Sequence, residues 1–154
     1  MFSSPLVTDR IQTVRASLGR LRGLAAAGRE AFRDSPDDYA IAEHHLRRAL
    51  QALLDIGRHI VVRSGWGNPS HYREIVIFLE RHGVLTAELG EKGRSLAGYR
   101  NRLVHEYAAV DVDEMWDILQ SRLDDIADLL KSLGLYAGKE LASLNDTVHQ
   151  APEL

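Results

Sequence analysis

Apolar residues in this chain recur at three- and four-residue steps almost from end to end, and no stretch sustains the alternation that a half-buried strand needs. Val7, Ile11, Val14, Leu18, Leu21 and Ala25 form the first stripe, which predicts a helix over residues 6–31. The same spacing would serve a coiled-coil seam, so this face suits either a core or an interface. Gly19, Gly23 and Gly28 weaken the helix but allow another to come close. Ser35-Pro36-Asp37-Asp38 then reads as a start signal: a capping hydroxyl, proline at the first position and acids at the positive helix end. The second helix runs to about Arg63, with Leu46, Ala49, Leu50, Leu53, Ile56 and Ile60 facing inward.

Gly65-Trp66-Gly67-Asn68-Pro69 breaks that helix, and Ser70 is placed to cap a short third one ending at Gly83. The unbroken run Ile75-Val76-Ile77-Phe78-Leu79 predicts burial on several sides. A fourth helix is expected from about Thr86 to Tyr107. A fifth starts at Asp111 or Asp113, uses Met115, Ile118, Leu119, Ile126, Leu129, Leu130 and Leu133 as its stripe, and stops at Gly134. The expected architecture is all-α: an up-and-down bundle of four to five helices over residues 1–135. Residues 136–154 follow as a C-terminal tail with room for one short helix.

At 154 residues the chain suits one domain with a real core. The absence of cysteine excludes disulfides and thiolate metal sites. A formal charge of −3 gives no global basic field, so any grip on nucleic acid has to be local. No apolar run approaches the ~18 residues of a membrane span. Met1-Phe2-Ser3-Ser4-Pro5 lacks the basic start and apolar core of a signal peptide. No membrane association is expected, and a cytoplasmic location is the default. None of the seven histidines pairs with another at helical ligand spacing, His44 and His45 being adjacent, so no metal site and no cofactor is expected.

The chemistry concentrates in Arg100-Asn101-Arg102-Leu103-Val104-His105-Glu106-Tyr107. Arg100 offers a permanent cation for a phosphate, and His105 a ring that exchanges a proton near neutrality. On a continuous helix the two diverge by roughly 140°, so one phosphate reaches both only over the helix end, or where a second copy supplies the missing group. That geometry favours a homodimer. Asn101, one turn before His105, is placed to orient the ring, while Arg102 points away and can pair with Glu106. On the second helix His44, Arg48, Gln51, Asp55 and His59 make one polar stripe, either solvated or lining a groove opposite this segment. Trp66 can stack a base or plug a helix junction.

The run Gly98-Tyr99-Arg100-Asn101-Arg102-Leu103-Val104-His105-Glu106-Tyr107 resembles the signature of the HepT-like toxins of the HEPN superfamily: Arg, four residues, His, any residue, Tyr. Arg48-Ala49-Leu50-Gln51, Asp55, His59 and the stretch from Tyr72-Arg73-Glu74 to Gly83-Val84-Leu85 are similar to that family as well. The likeness spans about residues 5 to 135. It implies a metal-independent endoribonuclease of a toxin–antitoxin system, with Arg100 and His105 catalytic and Asn101 and Arg48 in support. It also implies an MntA-type nucleotidyltransferase antitoxin as partner, which attaches AMP to Tyr107. The alternative is a non-catalytic helical dimer of the same superfamily, acting as a scaffold or nucleotide-binding partner.

Overall fold

The computed structural model describes residues 4–105 and 110–149, with side chains over 5–105 and 110–138. Its described residues form an all-α bundle: α1 (Ser4–Ala26), α2 (Arg29–Asp34), α3 (Pro36–Arg63), α4 (Tyr72–Arg81), α5 (Ala87–Val104), α6 (Val112–Ser121) and α7 (Leu123–His149). The five expected helices become seven because two of them break. Gly28 adopts φ 97°, a left-handed conformation that side chains resist, and splits α2 from α1. The last helix is interrupted at Arg122, whose backbone N–H still bonds the Ile118 carbonyl, so α6 and α7 meet at a corner.

The caps explain most boundaries. The Ser35 hydroxyl accepts from the Asp38 N–H and Pro36 takes the first position, starting α3 as expected. Thr86 caps α5 by accepting from Leu89 N, and Asp111 caps α6 by accepting from Glu114 N. Ser70 lies one residue too early to cap α4. His71 takes that place, and the Ser70 N–H and hydroxyl both donate to the Glu74 carboxylate, which holds that carboxyl below its usual range. Gly134 does not end the last helix: its φ is not left-handed and α7 continues to His149, with Leu133 and Ala137 buried on either side.

α1 lies along α3 in the most extensive helix pairing, and α5 and α7 close the bundle around them. Val14, Leu18 and Leu21 of α1, Leu46, Leu50, Ile56 and Ile60 of α3, Leu96 of α5 and Ile126 and Leu129 of α7 share one core. Each such side chain removed from water contributes about 1.5–3 kcal/mol, which is what holds α5 in register against α3. The run on α4 is buried on one side only: Ile75, Val76 and Leu79 are inside, while Ile77 is exposed. Gly57 makes the α3–α4 approach possible, since a Cβ there would lie 2.9 Å from Ile75 Cγ2. Trp66 stacks on His82 at 4.0 Å between the ends of α3 and α4 and packs against the core, as a junction plug does.

Candidate functional site

The polar stripe on α3 faces α1 and the end of α5 across a groove of about 430 Å³. Asp9, Arg10 and Thr13 form one wall, His44, Arg47, Arg48, Gln51 and Asp55 the floor, and Arg100 and Val104 the other wall. Four members of the stripe, His44, Arg48, Gln51 and Asp55, are therefore a lining, while His59 is not part of it, and the core contacts between α3 and α5 fix their distance from Arg100.

Arg100 is held on three sides. Its Nε donates to Gln51 Oε1 at 2.9 Å, its Nη1 to Asn101 Oδ1 at 3.5 Å, and its guanidinium carbon lies 4.3 Å from the centre of the Tyr72 ring. The Tyr72 hydroxyl donates to the same Gln51 oxygen at 3.4 Å. Among the described residues Arg100 has no carboxylate partner, so its charge stays available to an anion in the groove. Arg47 and Arg48 are exposed along the floor and form no ion pair among the described residues. Arg10, in contrast, donates to Asp55 Oδ2 at 3.1 Å and to Asp9, and the hydrogen bond that Asp55 accepts is the main reason its pKa is raised.

The chain leaves the helix sooner than expected. α5 ends at Val104, and His105 follows with extended dihedrals (φ −100°, ψ 117°), its N–H making the last helical bond to the Asn101 carbonyl. Further along the sequence Val110 is buried, and its carbonyl accepts from the Tyr39 hydroxyl. A continuous helical track for His105 therefore does not apply. The ring is exposed and is not part of the groove lining. The Asn101 amide bonds Arg100 and lines a second hollow with Arg73, Ser95, Gly98, Tyr99 and Arg102. Glu106 and Tyr107 lie outside the described residues. Arg102 forms a forked ion pair with Glu114 of α6, which locks the end of α5 to the next helix.

Thus Arg48 and Arg100 share one groove, Asn101 bridges towards it through Arg100, and His105 stands beyond its rim. Gln51 and Tyr72 were legible only as parts of a stripe and of a family likeness. Their grip on Arg100 joins α3, α4 and α5 across 49 and 21 residues of sequence, which no local spacing reveals. Elsewhere, the buried Ser17 hydroxyl and His45 Nδ1 form a 3.1 Å hydrogen bond between α1 and α3, and burial together with His44, Arg20 and Arg48 lowers the His45 pKa. No described helix is long and apolar enough to cross a membrane.

Comparison with known proteins gives this arrangement a family. The family model described as Ribonuclease HepT-like matches residues 14–133. An mRNA nuclease HepT of Shewanella oneidensis is 24% identical over 126 residues, covering 81% of this chain and 93% of that protein. A tRNA nuclease HepT of Aphanizomenon flos-aquae is 25% identical over 131 residues, covering 85% and 89%. In fold, the chain is similar to a tri-AMPylated HEPN toxin of Shewanella oneidensis solved in complex with MNT antitoxin. The TM-score is 0.79 at 21% identity, over 86% of this chain and 99% of that one. It is also similar to the cytosolic protein YutE of Bacillus subtilis, with a TM-score of 0.63 at 21% identity over 84% and 92%. With the family model spanning α3 and α5, which carry the floor and one wall of the groove, the chain belongs to the HepT-like family of ribonucleases.

Proposed function

We propose that the protein is the toxin of a toxin–antitoxin pair and cleaves RNA by attack of a 2′-hydroxyl on the adjacent phosphorus. The observation that carries this reading is the Arg100 guanidinium, held by two amides and a ring, with no carboxylate to neutralise it, in a groove floored by Arg47 and Arg48. An RNA strand lying along α3 would place its scissile phosphate at Arg100. A neighbouring phosphate would then meet Arg48, which lies about one turn from Gln51. As the O2′–P bond forms and the P–O5′ bond breaks, Arg100 would stabilise the charge gathering on the phosphoryl oxygens. His105 would take the proton from the 2′-hydroxyl or deliver one to the leaving 5′-oxygen, and no step requires a metal ion.

His105 stands outside the groove of its own chain. We therefore infer a homodimer in which the ends of two α5 helices face each other, so that one copy's imidazole serves the phosphate held by the other. Asn101 would support the site through its bond to Arg100. The antitoxin would be a nucleotidyltransferase of the MntA type that attaches AMP to Tyr107, putting negative charge and bulk beside the motif where RNA phosphate must enter. The relatives named as nucleases and the antitoxin complex of the similar fold support this reading, and YutE's cytosolic setting supports a cytoplasmic one.

The test is cleavage of total RNA by purified, unmodified protein beside its Arg100→Ala and His105→Ala variants. Loss of cleavage in both, with activity recovered on mixing them into heterodimers, is the expected result. Equal cleavage by all three would refute the assignment. An unmodified Tyr107 after coexpression with the nucleotidyltransferase, read by mass, would refute the switch.

A further inference from the structure

Arg100 is the visible end of a longer chain of hydrogen bonds. Gln51 Oε1 accepts from Arg100 Nε at 2.9 Å, and Gln51 Nε2 donates to Asp55 Oδ1 at 2.9 Å. The other Asp55 oxygen accepts from Arg10 Nε at 3.1 Å, and Arg10 also bonds Asp9. One connected line thus runs from α1 through α3 to α5, and Tyr72 of α4 touches it at the Gln51 oxygen.

The residue types along this line matter. A guanidinium bonded to a carboxylate is oriented but neutralised, and that would spend the charge a phosphate needs. A guanidinium bonded to an amide is oriented and keeps its charge. An amide, however, can rotate and present its N–H groups instead of its oxygen. Asp55 settles that choice, because a carboxylate only accepts and so draws the NH₂ of Gln51 to itself. Its own charge is answered by Arg10 on the far side from Arg100.

We propose that Gln51, fixed by Asp55 and Arg10, is a positioning residue that orients Arg100 towards phosphate without discharging it. This inference rests on the reading of Arg100 as the phosphate-holding group. It adds that α1 takes part in the site through Arg10, a helix that the Arg-x4-His-x-Tyr segment does not touch in sequence.

The experiment compares Gln51→Glu, Gln51→Leu, Asp55→Ala and Arg100→Ala in RNA cleavage and in NMR spectra of the arginine Nε–H groups. Gln51→Glu keeps an acceptor and nearly the same shape but adds a carboxylate. It should lower kcat/KM by about 100-fold, the scale of losing one charge-stabilising donor. Gln51→Leu removes the orienting bond and keeps the charge, and should cost about tenfold. A merely structural role for Gln51 predicts the reverse order. The Arg100 Nε–H donates to Gln51 Oε1 in the native protein and should exchange faster in Gln51→Leu and in Asp55→Ala.

If Arg100→Ala abolishes cleavage while Gln51→Glu cleaves at the native rate, the positioning role falls and the ribonuclease reading stands. If Arg100→Ala cleaves normally, that reading falls and the positioning role falls with it. With Arg100→Ala inactive, unchanged exchange of the Arg100 Nε–H in Gln51→Leu also overturns the positioning role and leaves the ribonuclease reading standing.

Discussion

The guanidinium carbon of Arg100 lies 4.3 Å from the centre of the Tyr72 ring, so the cation that faces the groove rests on an aromatic floor supplied by α4. Such a contact is worth about 0.5–2 kcal/mol and also limits the angles the guanidinium can take. Tyr72→Ala should lower kcat/KM for RNA cleavage by about tenfold, the equivalent of ~1.4 kcal/mol. Tyr72→Phe keeps the ring and gives up only the long 3.4 Å bond to Gln51, so it should stay close to the native rate. Steady-state cleavage of one defined RNA separates the two.

Arg47 and Arg48 stand without ion-pair partners on the groove floor among the described residues, which suits backbone phosphates flanking the scissile one. Either Arg→Ala change should raise KM more than it lowers kcat. Each should also reduce the salt slope of binding by about 0.7 for a single-stranded ligand. Fluorescence titration of a labelled RNA at several salt concentrations reads this directly. An unchanged slope would remove that arginine from the contact set.

Gly57→Ala probes how the site is supported from beneath. The new methyl would lie 2.9 Å from Ile75 Cγ2 and 3.0 Å from Leu79 Cδ1, so α4 must move outwards. Overpacking of this kind costs about 1–3 kcal/mol, against a gain of about 1 kcal/mol from better helix propensity. A net loss of up to about 2 kcal/mol in urea unfolding is expected. Cleavage should fall as well, because Tyr72 begins the helix that is displaced.

His45 makes stability depend on pH. Burial, then the nearby charges of His44, Arg20 and Arg48, lower its pKa, so the folded protein favours the neutral ring. The unfolded chain, with an ordinary imidazole, binds a proton near pH 6.5 while the folded one does not. The contribution is complete above about pH 6.5 and declines as pH falls through that value towards the depressed folded one. Melting curves between about pH 7.5 and 5 should show Tm dropping, and His45→Gln should flatten part of the drop. An identical slope in the variant would assign the effect elsewhere.

Cleavage by the proposed route needs only side chains, so an excess of chelator should leave the rate unchanged within about twofold. Complete loss with chelator, restored by a divalent cation, would replace the His105 mechanism with a metal-assisted one. The protein should be assayed free of nucleotide on Tyr107, checked by intact mass.

Local rules carried much of the fold. Ser35-Pro36 placed the start of α3 and Thr86 that of α5, and of the two starts open to α6, Asp111 and Asp113, the first is the cap, because a cap is a contact between residues three apart. Local rules failed where tertiary contacts competed. Gly134 looked like a stop, yet burial of Leu133 and Ala137 carries α7 through it. His105 looked helical, yet its extended dihedrals take it off the helix track after Val104. Arg102 bonds Glu114 on the next helix, a partner that helical spacing does not offer, while its expected partner Glu106 lies outside the described residues. At the site, Arg100 was readable as a cation for a phosphate and Arg48 as part of a polar stripe. Their meeting across one groove, and the part of Gln51 and Tyr72 in it, depends on how α3, α4 and α5 pack.

The end of α5 at Val104 divides the motif mechanically. Arg100 belongs to the rigid ladder of the helix and to its anchors on α3 and α4, whereas His105 sits on the extended chain that follows. An agent acting beyond Val104 would shift the imidazole at the cost of no more than the last helical hydrogen bond, that of His105 N–H to the Asn101 carbonyl, and leave the anchors of Arg100 intact. Silenced in that way, the protein would still capture transcripts and shield them, so that inhibition turns a cutter into a sleeve.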